Sequence, residues 1–290
     1  SPTGIHRVNW LWLNRKVFEQ QGLKPPTDWA QFVAVADKLK EKGITPLAIG
    51  NEPWQIAVLF ETVALGEGGK TFYRKAFLEQ DSATLTGPDM VRVLTRFQQL
   101  RAYVPEKYAG LKWHQATNLL ESGGAAMQVM GDWVKGELSA GNYRPGEDIE
   151  CLPSPGSQGL FSYNLDSIAM FKQRDPAQLQ AQGELARLLM TPRFQEAFNR
   201  VKGSIPALIK PDMSKFDRCA IRSYQDFLHA EQQDNLLPSM AEGMAVPTNM
   251  RQGIMDVLSS FFNDARANPE QTAQQLERAM RSTRSGAEQK

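Results

Sequence analysis

Three short segments carry side chains suited to one kind of chemistry, the non-covalent recognition of a carbohydrate. They are Gly131-Asp132-Trp133, Gly50-Asn51-Glu52-Pro53-Trp54-Gln55 and Tyr163-Asn164-Leu165-Asp166. A pyranose has apolar C–H faces and a rim of hydroxyls. Flat aromatic rings cover the faces, and Asp, Asn, Glu, Lys and Arg satisfy the hydroxyls in planar or charge-assisted hydrogen bonds. Such side chains belong at loop ends that open on a cleft. Each segment also has a plainer reading. Trp133 follows the buried run 125–130 and suits a core ring packed on a helix. Glu52 and Trp54 suit a helix-capping acid and a packing ring. Asn164 and Asp166 share one strand face, because i and i+2 point the same way. Within an apolar run they need partners, which either a ligand or backbone turn contacts supply.

Covalent and metal chemistry find no comparable pattern. Residues 66–71 end in Gly-Lys-Thr, like a phosphate-binding loop, but Ala64 stands where the pattern requires its first glycine. The three histidines, His6, His114 and His229, lack metal-ligand spacing. No Gly-x-Ser-x-Gly elbow occurs, and spacing suggests no cysteine–histidine pair. Carboxylates are plentiful, so a glycosidase pair stays compatible with the sequence.

The elements that must position these segments alternate between strand and helix. Residues 5–18 read as one buried strand ending near Asn14. Lys24-Pro25-Pro26-Thr27 blocks a helix, and Thr27 or Asp28 caps the next, whose Trp29, Phe32, Val33, Ala36 and Leu39 recur at helical spacing. Short strands are expected at 44–49, 125–130 and 149–152, and a longer one at 161–171. Helices are expected at 55–65, stopped by the glycines of 66–69, and at 71–78, 88–100, 113–123, 133–140, 176–190 and 191–200. Residues 217–280 read as helical pieces with a loop at 238–249. The alternation argues an α/β class. Breaker-rich stretches at 153–159 and 203–207 flank 160–202, which sets that segment in a different lobe from its surroundings.

Composition narrows the partners. The 290 residues suffice for two modest domains or one large one, and 41% hydrophobic with 22% charged residues suits a folded globular chain. A net charge of +1, with no run of one sign, gives no reason to expect nucleic acid or an anionic membrane. No apolar stretch reaches the ~20 residues of a membrane span. The start, Ser1-Pro2-Thr3-Gly4-Ile5, is neither an initiator methionine nor a signal peptide, so processing or truncation is expected to have set it. Cys151 and Cys219 are either one bridge or two buried thiols.

In chain order, His6-Arg7-Val8-Asn9-Trp10-Leu11-Trp12-Leu13-Asn14, Met130-Gly131-Asp132-Trp133, Tyr163-Asn164-Leu165-Asp166-Ser167, Val201-Lys202-Gly203-Ser204-Ile205-Pro206 and Ser239-Met240-Ala241-Glu242-Gly243-Met244-Ala245 resemble one family's motifs. That family is the extracellular solute-binding proteins of ABC transporters, the class that includes maltose-binding protein. The match is nearest to the glucose/mannose-binding type of Gram-negative bacteria and covers nearly the whole chain. The resemblance implies an α/β fold of the periplasmic-binding-protein-like class II, two lobes with a hinge, and a monosaccharide held in the cleft. It makes Trp133 the stacking ring from one lobe and Asn164 and Asp166 hydroxyl partners from the other. Lys202 resembles the family's sugar-contacting lysine, and Glu52 and Trp54 the acid and aromatic of the maltose-binding turn. The glucose group often has Gln at the place of Glu52 and usually His at that of Glu242. A glutamate still accepts a hydroxyl there but adds charge, which leaves the sugar open.

The same resemblance implies a periplasmic monomer, without cofactor or enzymatic activity, that delivers sugar to ABC permease subunits and meets the inner membrane only through them. Residues 1–155 and 210–290 are expected to form the second lobe, and 156–209 the hinge crossings and part of the first. Family members carry a longer stretch before the strand near Pro2. The first lobe is therefore expected to be only partly present, with apolar surface uncovered near 161–171 and sugar binding weak or lost. Two alternatives stand beside this reading: a glycosidase-like enzyme using Asp166 and Glu242, and a relic that no longer binds sugar.

Overall fold

A computed structural model describes residues 1–285, so the last five residues of the segment 210–290 lie outside the described residues. The expected single strand from Ile5 to near Asn14 is in fact two strands. β1 (Pro2–Arg7) and β2 (Trp10–Asn14) part at Val8-Asn9 and enter different sheets, and a helix, Arg15–Gln21, follows. The physical reason is Asn9. Its side chain is fully buried, and a central strand gives such an amide no partners. Here the break satisfies it: Nδ2 donates to Ser157 Oγ at 3.0 Å and to the Leu160 carbonyl at 3.0 Å. Its Oδ1 accepts from the Ser162 N–H at 3.0 Å.

β2 lies inside a four-stranded sheet of order β3-β4-β2-β5, with β3 (Thr45–Ala48), β4 (Ala125–Val129) and β5 (Ile149–Pro153). β3 and β4 run parallel, and β2 is antiparallel to both its neighbours. All five β2 residues are buried, as expected for a strand covered on both faces. The helix Trp29–Glu41 forms as its pattern predicts: Asp28 caps it by accepting from the Gln31 N–H at 2.7 Å, and Trp29, Phe32, Ala36 and Leu39 face the core. The helix Pro53–Val63 is buried along almost its whole length and packs on Thr248–Asn263. It does not stop at the glycines of 66–69. A π-turn, Ala64–Gly68, carries it into Gly69–Tyr73, because burial of Ala64, Leu65 and Phe72 outweighs the poor helix propensity of glycine.

The smaller sheet has the order β1-β6-β7, with β6 (Phe161–Ser167) in the centre and β7 (Leu236–Pro238) on its far side. β6 ends four residues before the expected 171, and β7 was not legible in the helix-rich 217–280. Residues 153–159 are not a free linker. Ser154 and Ser157 are fully buried, and Ser154 N–H donates to the Asn9 carbonyl at 3.0 Å. The helix Pro192–Lys202 is tied to β1 by two buried amides: Asn199 Nδ2 donates to the Thr3 carbonyl at 2.8 Å and Gln195 Nε2 to the Pro2 carbonyl at 3.1 Å.

Apolar burial is uneven. The main hydrophobic core draws buried members from residues 8–151 and 219–280 and none from 156–209. Most exposed large apolar side chains lie instead between Leu165 and Ile209, with Phe171 79% exposed. Phe161 is buried, whereas Leu165, Ile168 and Phe171 are not.

The cysteine question resolves as a bridge. Cys151 at β5 and Cys219 in the first turn of the helix Arg218–Gln232 are joined across a sequence separation of 68. Chain entropy alone makes such a loop worth roughly 4 kcal/mol. Cys151→Ser with Cys219→Ser is expected to lower the unfolding free energy by about 2–4 kcal/mol, read from denaturant titration. An unchanged midpoint would show that the helix docks without the bridge.

Candidate functional site

The side chains singled out in the sequence converge where β1 of the small sheet meets the turn after β4 of the large one. His6 is the link. It lies 1% exposed on β1, directly across from Asn164 on β6. Its Nδ1 makes a very short hydrogen bond to Asp132 Oδ1, and its Nε2 lies 3.3 Å from Asp166 Oδ2. Asp132 is buried and fixed by the backbone, since its Oδ2 accepts from the Arg7 N–H at 2.9 Å. Trp133 follows. Its ring meets His6 edge-on at 5.7 Å and lies 6.2 Å from the Trp54 ring. A Cβ on Gly131 would come within 2.2 Å of the Trp133 ring, so the indole folds back over the turn only because that residue is glycine.

Asp166 is also approached by Lys202 Nζ at 3.5 Å and accepts from Asn164 Nδ2 at 2.9 Å. Lys202 reaches it because the helix Pro192–Lys202 ends against the Asp132 turn. Gly203 there has φ +98, and a Cβ would sit 2.3 Å from the Asp132 carbonyl oxygen. Residue types and sequence order together thus place two indoles, a carboxylate, an amide and an ammonium in one cluster.

The charges are mutually tuned. Burial alone pulls the His6 pKa down, but the field of Asp132, the hydrogen bond to it and the contacts with Asp166 outweigh burial and push it up to about 9. The ring is therefore an imidazolium at neutral pH, hydrogen-bonded to Asp132 through Nδ1 and ion-paired with Asp166 at Nε2. Because this value lies above the ordinary 6.5, the stabilisation is complete below pH 6.5 and is lost as pH rises through about 9. The hydrogen bond from His6 holds Asp166 down to about 2, with the charges of His6 and Lys202 adding against partial burial.

Glu242 enters the cluster from the turn after β7. Burial pushes its carboxyl up, against the pull of Arg251, His6 and Lys202, and its Oε1 has no hydrogen-bond partner within the protein. Trp133 Nε1 is likewise buried and unpartnered. The turn that carries Glu242 is pinned by Glu61. Its Oε2 accepts from Ser239 Oγ and from the Ala241 N–H, each at 2.7 Å, and its Oε1 from Ser162 Oγ in a very short bond. Tyr73 completes the mount: its hydroxyl donates to the Pro238 carbonyl at 3.0 Å and accepts from the Met240 N–H at 3.0 Å.

Of the seven residues proposed from sequence, Trp133, Trp54, Asn164, Asp166, Lys202 and Glu242 come together. Glu52 is set apart. It occupies the N-cap of Pro53–Val63 without capping it, and its carboxylate accepts from Gln55 Nε2 at 2.9 Å. No hydrogen bond or ion pair among the described residues joins it to the Asp166 group. Sequence reasoning missed the roles of His6, Asp132 and Glu61. A lone carboxylate inside the apolar run Ile56–Val63 was the available signal for Glu61. A surface cavity of about 600 Å³ lies elsewhere. It is a polar groove at the Asn14 end of β2, lined by Arg15, Glu121 and Asp148 and by none of the seven.

The sequence profile of the family described as bacterial extracellular solute-binding protein matches residues 2–170, more than half of the chain. The chain belongs to that family. Similar members include a "Probable sugar-binding periplasmic protein" of Rhizobium meliloti (strain 1021), 40% identical over 266 residues, 91% of this chain and 63% of that protein. A protein of the same description from Mesorhizobium japonicum is 36% identical over 280 residues, 97% of this chain and 67% of that one. This solute-binding protein chain thus spans about three fifths to two thirds of the length of those relatives. Among solved structures, a chitin oligosaccharide binding protein superposes with a TM-score of 0.78 at 19% identity over 97% of this chain and 70% of its own. The bacterial solute receptor AcbH, described with an exclusive preference for β-D-galactopyranose, gives 0.79 at 18% identity over 97% and 72%. At such identities the likeness speaks for the fold: α/β, periplasmic-binding-protein-like class II, with two lobes joined by a hinge.

Glu61 makes the stability of this solute-binding protein depend on pH. Burial raises its pKa from 4.5 to about 7, although the bonds from Ser162, Ala241 and Ser239 pull the other way. A raised carboxyl contributes stability that is complete below pH 4.5 and lost as pH rises through about 7. Glu61→Gln is expected to flatten a slope worth about 3 kcal/mol over that window. The check is thermal unfolding from pH 4.5 to 8, and a variant that keeps the parent slope places the titration elsewhere.

Proposed function

We propose that this chain is the substrate-binding component of an ABC sugar importer, acting in the periplasm as a monomer. In this reading it holds a monosaccharide of glucose/mannose type between its lobes and delivers it to the permease. The observation that carries the reading is the Trp133–Trp54 ring pair beside Asp166, Asn164 and Lys202, apolar planes next to fixed donors and acceptors. Trp133 stacks on the sugar face, Asp166 and Asn164 accept and donate at the hydroxyl rim, and Lys202 donates. Glu242 Oε1 accepts a further hydroxyl. Glu52 and Trp54 belong to a second, outer contact. The relatives' descriptions as sugar-binding periplasmic proteins support this assignment. Residues 1–155 and 210–290 form the second lobe and 156–209 the crossings and part of the first, with β1 and β7 as the strands shared across the hinge. Ligand then favours the closed arrangement only through contacts that the open one lacks.

The sugar itself is decided by titration calorimetry of the chain against glucose, mannose, galactose and maltose. The expected result is weak, saturable heat with one monosaccharide. Trp133→Ala and Asp166→Asn are each expected to weaken that binding at least tenfold. A Trp133→Ala chain that binds like the parent would overturn the assignment.

One observation favours a second reading. The two carboxyls Asp166 and Glu242 are driven apart, Asp166 down and Glu242 up, as in an acid and nucleophile pair. Asp166, however, is already engaged by His6 and Lys202. No turnover of an aryl glycoside is expected; hydrolysis that disappears in Asp166→Asn would establish the enzyme instead.

A further inference from the structure

We propose that His6 is a positioning residue whose imidazolium, hydrogen-bonded to Asp132 and ion-paired with Asp166, holds Asp166 and the Asp132-Trp133 turn in their ligand-ready arrangement, so that loss of one ring proton weakens sugar binding. The proposal rests on the reading of Trp133 and Asp166 as sugar contacts.

The argument is one of donors and acceptors. An imidazolium has two N–H donors, and each here faces a carboxylate: Asp132 at Nδ1 and Asp166 at Nε2. A neutral ring has one donor and one lone pair. It therefore keeps one carboxylate and repels the other. Asp132 is locked in place by the Arg7 N–H, and the Asp132 N–H in turn donates to the Arg7 carbonyl at 3.0 Å. Asp166 is 35% exposed, and its other partners, Asn164 and Lys202, are side chains rather than backbone, so it is the partner that moves. The Trp133 ring rests edge-on against His6 and follows any change in that ring's charge or tilt.

Other charged groups surround the imidazole and bound its behaviour. Asp132 comes from the turn after β4, Asp166 from β6, Lys202 from the end of Pro192–Lys202, and Glu242 from the turn after β7 with Arg251 of Thr248–Asn263 acting on it. Arg7, the next residue on β1, is turned away toward Asp226 and the faces of Trp10 and Phe161. The carboxylates thus outnumber the cations that touch the ring, which keeps it protonated at neutral pH and leaves its release to alkaline pH.

Two measurements on the full chain test this. In the first, the His6 ring is followed by NMR in the ligand-free protein from about pH 6 to about pH 10, together with tryptophan fluorescence in the parent and in Trp133→Phe. The expected result is a His6 midpoint near pH 9, with a fluorescence change at the same pH that Trp133→Phe removes. A midpoint near that of a free histidine, or fluorescence that ignores it, overturns the proposal whether or not any sugar binds. In the second, calorimetry with the best-binding sugar compares about pH 7 with about pH 9.5, where circular dichroism confirms the fold. The expected result is an affinity at least fivefold lower at the higher pH in the parent, and a low, flat affinity in His6→Gln. A pH slope that survives in that variant assigns the effect to another group and overturns the role of His6. Should no sugar bind, the ligand-free titration decides the role of His6.

Discussion

The structure depends on how the chain passes from one sheet to the other at Val8-Asn9. A strand that changes sheets exposes its peptide groups at the break, and in a buried place each must find a partner. Asn9 satisfies two of these, the Leu160 carbonyl and the Ser162 N–H, and the same amide also meets the Arg7 guanidinium and the Ser157 hydroxyl. The bond from the Val8 N–H to the Ser162 carbonyl closes the same seam at 2.9 Å. The connections between β1 and β2 and between β5 and β6 are thereby stitched into a single block. Arg7 clamps it from the side by pairing with Asp226 at 2.5 Å while its guanidinium lies over Trp10 and Phe161.

The candidate site grows out of that block. Because β1 enters the hinge in register with β6, His6 faces Asn164 and Gly4 faces Asp166. Because β4 runs beside β2, its end delivers the Asp132 turn to the same place. The site is therefore built from both sheets, and its polar side chains are held by charge rather than by packing. Burying His6 and Asp132 is tolerable because each is paired, His6 between two aspartates and Asp132 between the imidazole and the Arg7 N–H. The same economy explains Glu61. A lone carboxylate in an apolar helix is unfavourable until three donors converge on it, and their convergence is what shapes the turn carrying Glu242.

The two sheets are not equally supported. The four-stranded sheet has a large apolar core around it, whereas the helix Pro192–Lys202 is held to β1 by two buried amides and the helix Pro176–Leu189 packs on that helix, both leaving apolar side chains outside. The Cys151–Cys219 bridge reinforces the better-packed side, tying β5 to the helix that leads on to β7. The junction between the sheets thus joins a well-packed side to a lightly packed one.

Much of this was legible from residue types and spacing. Periodicity and caps located Trp29–Glu41 and Pro88–Gln99 closely, since an amphipathic face and an N-cap are local properties. Ring and amide positions also marked Trp133, Asn164 and Asp166, because a turn or a strand face constrains neighbours in sequence. The break of 5–14 into two strands was not legible, because the partners of Asn9 lie roughly 150 residues away in the chain. For the same reason Cys151 and Cys219 remained either bridged or free until the two elements were seen together. His6 looked like a histidine without ligands, and only the antiparallel register of β1 with β6 and the return of β4 put an aspartate on each of its nitrogens. Local chemistry, then, determined which side chains were available and which elements would carry them. Long-range pairing in three dimensions decided which of them meet, and so which charges they hold.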